Sequence, residues 1–292
     1  MLDAPTDLGL KPSGVDRLAA AMRGTGLVEH LNATYAGEVR ALPYDTTRDP
    51  KTKLLNAGGL CDHATRLADG VGSLLDHGDF PVVLGGDDSI LLGCALANRR
   101  RGRRGLVFID GHTDFYPPKL SPTGEASDSD FALVTGRGPD MLANIEGLCP
   151  LVRDEDAAAL GHRDADEQRE HGSPDARATA ITVLDLAEMR SRGMARSAED
   201  ALVAVTKTEM QGFWIHIDAD VLDDAVMPAV DYRMPDGLSP DELTTVLQAL
   251  LRSGRAIGLS LSIYNPALDP EGLAGRVLAG VLVNALAPTK SG

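Results

Sequence analysis

Short apolar runs rich in β-branched and aromatic residues recur along the chain: "PVVL" from Pro81 to Leu84, "LVFI" from Leu106 to Ile109, "AITVLDL" from Ala180 to Leu186, "FWIHID" from Phe213 and "AIGLSLSIYNP" from Ala256. Between them the apolar positions fall at helical spacing. This holds from Leu60 to Leu75, through "ILLGCALANRRR" from Ile90, around Ser197 to Thr208 and in "SPDELTTVLQALLRSG". Ser239, Pro240 and Glu242 make a helix start, with serine at the cap, proline at the first helical position and glutamate two residues after it. Strands that alternate with helices predict right-handed βαβ crossovers and a parallel sheet covered on both faces. Asp154 to Arg177 is polar and weakly periodic, and reads as a long surface excursion with a short helix. With no composition break or internal repeat, residues 1–292 read as a single α/β domain.

Three apolar runs end in acids. "PVVLGGDDSI" (Pro81 to Ile90) closes on Asp87 and Asp88, "GLVFIDGHTDF" (Gly105 to Phe115) on Asp110, His112 and Asp114, and "FWIHIDADVLDD" (Phe213 to Asp224) on Asp218 and Asp220. In parallel sheets, ligands bind beyond the carboxyl ends of the strands. Residues two apart in extended chain point the same way, so Asp110, His112 and Asp114 project together, as do Asp218 and Asp220. A single D-x-D is weak evidence. Three such strand ends are much stronger, because carboxylates crowded in an apolar frame need divalent cations to coexist. Five carboxylates and one imidazole suit two hard or borderline ions such as manganese, sharing a bridging carboxylate and a water of lowered pKa. His216, two residues before Asp218, reads as a core residue or as support behind the ligands.

Charge narrows the partners. The net charge of −15 and the aromatic content of 4% argue against nucleic acid and anionic membranes, and favour small cationic ligands and metals. Cys61, Cys94 and Cys149 form no CxxC pair, so they read as reduced thiols. No signal-peptide pattern and no apolar stretch of about 20 residues is present, and the expected location is the cytoplasm.

The motifs "GGDDSI", "DGHTDF" and "DADVLD" resemble, in order and spacing, the GGDHS, DAHxD and DxDxxDP signatures of the ureohydrolases, the arginase and agmatinase family. "GLSLSIYNPALD" (Gly258 to Asp269) resembles the strand and xNP turn that follow. The resemblance implies a three-layer α/β/α fold with a central, mostly parallel sheet, two manganese ions, hydrolysis of a C–N bond by metal-bound hydroxide, and a homo-oligomer, a trimer or hexamer. It implies that Asp110 and Asp218 bridge the ions, that Asp88 and Asp114 belong to the first, and that His112 and Asp220 belong to the second.

The departures concern substrate and the first metal. Asp88 stands where the family has histidine, Ile263 where arginases and agmatinases have a glutamate for the guanidinium, and Ser127 near the arginases' shuttle histidine. Asp166 in "GHRDADE" falls where arginases bind the substrate amino group, and Glu125, Asp130 and Tyr264 are further candidates for substrate contact. "PAVDYRMPDGLS" (Pro228 to Ser239) resembles amidinohydrolases of secondary metabolism. The expected activity is hydrolysis of a linear amidine, guanidino or formimino compound other than arginine or agmatine. The alternative is a catalytically lapsed relative with a ligand-binding or regulatory role.

Overall fold

In a computed structural model that describes residues 1–287, the β-branched runs form the middle of a seven-stranded sheet, every pair in it parallel. The strands are β1 (Leu2–Asp3), β2 (Val82–Leu84), β3 (Gly105–Ile109), β4 (Ala157–Leu160), β5 (Thr182–Leu184), β6 (Phe213–Asp218) and β7 (Ala256–Ser262). Their order is β1-β2-β7-β6-β3-β4-β5. β4 and β5 extend the sheet outward from β3, whereas β6 returns to its other side, so the connections diverge beside β3 and open a crevice at the carboxyl ends of β3 and β6.

The period-two alternation of the strands divides the core into two layers. Val107, Ile109, Ile215 and Ile217 face one side, where they join helices Leu18–Gly24, Met194–Val205, Pro240–Arg252 and Leu273–Leu286. Leu106, Phe108, Val83 and Trp214 face the other, against Ala57–Asp76 and Ile90–Arg99. This is the expected three-layer α/β/α arrangement. Apolar burial on both faces supplies the stability, at about 25 cal/mol per Å² removed from water. The helix Pro240–Arg252 begins with the anticipated cap: Ser239 Oγ accepts from the Glu242 N–H (3.2 Å) and the Glu242 carboxylate from the Ser239 N–H (2.8 Å).

The polar stretch from Asp154 corrects the sequence reading, because it contains β4, buried between β3 and β5. No helix among the described residues is long and apolar enough to cross a membrane.

Candidate metal centre

The turn after β2 fixes the first acids. A Cβ on Gly86 would stand 1.8 Å from the Thr6 carbonyl oxygen, so only glycine lets the amino-terminal segment pass this close. Asp87 turns toward that segment and accepts from Thr6 Oγ1 (3.2 Å), the Gly9 N–H (3.0 Å) and the Ser89 N–H (2.9 Å). It ties the segment to the sheet and leaves Asp88 alone to face the strand ends. Asp88 Oδ1 accepts from Ser262 Oγ at the end of β7, at 2.5 Å.

Beyond β3, Asp110 Oδ1 accepts from the His112 N–H (2.6 Å), while its Oδ2 is buried without a hydrogen-bond partner. Beyond β6, Asp218 Oδ1 accepts from the Asp220 N–H (2.6 Å), and Asp220 Oδ1 accepts from the Gly111 N–H (3.1 Å), stitching the two strand ends together. His112 Nδ1 lies 2.9 Å from Asp220 Oδ2. Donor atoms of Asp110, His112 and Asp220 lie within 4.8 Å of one another, and so do those of Asp88, Asp110 and Asp218. Asp114 lines the same cleft, with a backbone φ of +44°.

The electrostatics are those of anions short of cations. Burial first, and then the charges of their neighbours, push Asp110, Asp114, Asp218 and Asp130 well above the ordinary carboxylate range. Burial acts on Asp220 in the same direction, but His112, Arg163 and the Gly111 N–H outweigh it and hold the group low. For His112, burial favours the neutral ring, yet Asp220 and Asp164 raise its pKa to about 9. Carboxylates in this state release their protons to a divalent ion. Mostly oxygen donors with one imidazole fit hard or borderline metals and suit thiophilic ones poorly.

The other sequence candidates are placed differently. Asp166 is a correction: its side chain is 97% exposed, pairs with Arg169 at 2.7 Å, and does not line the cleft. The acid that does is Asp164, buried, which accepts from the Thr113 N–H (3.0 Å), Thr113 Oγ1 (2.7 Å) and Gln168 Nε2 (2.7 Å). Two residues along a helical turn are rotated by about 200°, so Asp164 at the start of helix Ala165–Glu170 faces inward and Asp166 outward. Tyr264 is a second correction, for its hydroxyl donates to Asp269 (2.9 Å) and its ring packs on Gly275, away from the cleft. Its neighbour Ile263 lines the cleft instead, with φ +69° and its N–H bound to the Gly86 carbonyl at 2.8 Å. Glu125 is buried behind Tyr232, whose hydroxyl donates to it at 2.8 Å. Asp130 is fully buried and does not line the cleft, which removes it from substrate contact. Ser127 does line the cleft, as does Tyr232 of "PAVDYRMPDGLS", together with Tyr116, Asp128 and His171, which no motif marks.

Comparison with known proteins agrees with this fold. The arginase from Brevibacillus brevis is 29% identical over 290 residues, covering 97% of this chain and 95% of that protein. The native structure of arginase from Bacillus caldovelox superposes with a TM-score of 0.87 at 24% identity, covering 99% of this chain and 98% of that one. The formimidoylglutamase from Bacillus subtilis superposes with a TM-score of 0.74 at 20% identity, covering 98% and 84%. The Arginase family model matches residues 4–287, and the chain belongs to that family.

Proposed function

We propose that the protein hydrolyses a C–N bond in a small linear amidine, guanidino or formimino compound, with two divalent ions, manganese foremost, held at the carboxyl ends of the central strands. The convergence of Asp88, Asp110, His112, Asp114, Asp218 and Asp220 on one crevice carries this reading. Asp110 and Asp218 would be shared between the ions, with Asp88 and Asp114 holding one and His112 and Asp220 the other. When bound, the ions polarise the sp² carbon of the substrate and lower the pKa of water beside it.

The protein's own groups supply orientation and charge. Gly111 N–H and Asp220 N–H hold the ligand carboxylates in register. Arg163 donates to the carbonyls of Asp220 (3.0 Å) and Met234 (2.9 Å), and so fixes the loop after β6 against the loop that follows. Asp128, Asp164 and Glu167 give the cleft wall a negative cast that suits a cationic substrate. Ile263 offers a guanidinium no carboxylate, which disfavours arginine and agmatine by the roughly 1.5–3 kcal/mol of a charge-assisted hydrogen bond.

The test is release of urea, ammonia or formamide by manganese-loaded protein across guanidino and formimino compounds. Turnover of at least one, abolished by chelation, supports the reading. Efficient turnover of arginine or agmatine overturns the substrate assignment.

A further inference from the structure

Behind the cleft, Asp88 belongs to a further cluster whose other members, Asp130 and His216, the family motifs do not mark. His216 Nε2 stands 3.4 Å from Asp88 Oδ1 and 3.9 Å from Asp130 Oδ2, and the donor atoms of the three residues lie within 4.8 Å of one another. All are withdrawn from water, His216 and Asp130 at 0% exposure and Asp88 at 2%. Asp130 Oδ2 has no hydrogen-bond partner, although it points into this space. Donor atoms around a tetrahedral ion with bonds near 2.1 Å stand roughly 3.4 Å apart. The separations observed are thus closer to a coordination shell than to a hydrogen bond, which is shorter.

The histidine is anchored from behind through its other ring nitrogen. Trp214 Nε1 can only donate, so Ser260 Oγ accepts from it at 3.0 Å. His216 Nδ1 lies 2.8 Å from the same Ser260 oxygen. With Nδ1 donating to that oxygen, the Nε2 lone pair would face the two carboxylates, the arrangement of metal-binding histidines. The ring is clamped as well: His216 stacks on Phe108 (centroids 5.5 Å apart), and Phe108 stacks on Phe131 (4.6 Å), the residue after Asp130. Ser262 Oγ reaches Asp88 Oδ1 (2.5 Å) and His216 Nε2 (3.4 Å), but Asp130 Oδ2 faces the same ring with no hydrogen-bond partner, and a cation between the three side chains would satisfy it.

We propose that Asp130 and His216 join Asp88 and the shared carboxylates in ligating the ion on the Asp88 side of the centre, the imidazole absent from position 88 being supplied from β6 by His216. This rests on the reading of a metal centre given above. Aspartate is shorter than histidine, so an ion bound by Asp88 sits deeper, toward Asp130 and His216.

The test is titration of metal-stripped protein with cobalt(II), read by elemental stoichiometry and by the visible ligand-field spectrum. Wild type, Asp130→Asn, His216→Asn and Asp218→Asn are compared, each checked for folding by circular dichroism. Wild type is expected to bind two ions. Asp130→Asn and His216→Asn should each weaken one of them at least tenfold and lose the same spectral component. If His216→Asn does not fold, the isosteric Asp130→Asn decides alone. Wild-type stoichiometry, affinity and spectrum in the folded variants, with metal lost only in Asp218→Asn, overturn the inference and leave the metal centre standing. Failure of wild type to bind cobalt overturns both.

Discussion

Replacing Asp218 by asparagine should make the metal-free protein more stable and the metal-loaded protein less so. Oxygens of Asp88, Asp110 and Asp218 lie within 4.8 Å of one another. At an effective dielectric of about 20, two unit charges at that distance repel by roughly 3.5 kcal/mol. Asp218 takes part in two of the three pairs, so neutralising it relieves about 7 kcal/mol in the fully ionised limit. Proton uptake caps the gain. Burial, followed by the charges of Asp220, Asp88 and Asp110, raises the folded-state pKa of Asp218 well above the ordinary 3.8. Stability from the retained proton is therefore complete below the unfolded pKa, and is lost as pH rises through the folded one. Asparagine keeps the oxygen that accepts from the Asp220 N–H at 2.6 Å and does not titrate. A realised gain of about 2–4 kcal/mol at pH near 8 corresponds to about 3–7 °C in Tm for a domain of this size. Near pH 5, still above the unfolded pKa, the gap should shrink to about 1.6 kcal/mol, or roughly 3 °C. Calorimetry of chelator-treated samples across that range measures the gap, and with manganese added the order should reverse. A metal-free variant that melts below wild type near pH 8, or a gap that does not widen with pH, refutes the crowded-carboxylate account.

Asp87→Ala removes two hydrogen bonds to the amino-terminal segment and one to the Ser89 N–H, and should cost roughly 2–4 kcal/mol in urea unfolding while leaving metal stoichiometry unchanged; loss of one ion would show that Asp87, not Asp88, faces the metal. Asp164→Ala should lower kcat/KM for whichever substrate is found by about tenfold or more, whereas Asp166→Ala should leave it within about twofold; equal effects would undo the inward and outward assignment of the two acids. Ile263→Glu should raise kcat/KM for a guanidino substrate by about tenfold to a hundredfold, the equivalent of one charge-assisted hydrogen bond. No gain there would mean that another acid in the cleft already pairs with the cation.

The strand ends were legible because they combine two signals, an apolar β-branched run and an acid at period two, and the structure brings Asp88, Asp110, His112, Asp218 and Asp220 into ligand-sized groups. β4 was not, because "AAAL" carries neither β-branched residues nor alternation; small side chains suffice where neighbouring strands and helix Met194–Val205 close over it. Asp164 and Asp166 differ only in which side of a helical turn they occupy, a distinction that depends on where the helix begins. The placement of Tyr264 turns on the left-handed φ of Ile263, a conformation rare for a β-branched residue and therefore absent from any propensity. His216 was visible as sharing a face with Asp218. Its proximity to Asp130 depends on the stacking of Phe108 and Phe131, a contact between distant parts of the chain.

The most direct measurement is elemental analysis of the protein purified with manganese and then exhaustively dialysed. The account predicts two ions per chain in wild type, both lost in Asp218→Ala because that carboxylate bridges them. Fewer than one ion per wild-type chain, or two ions retained in Asp218→Ala, would contradict it.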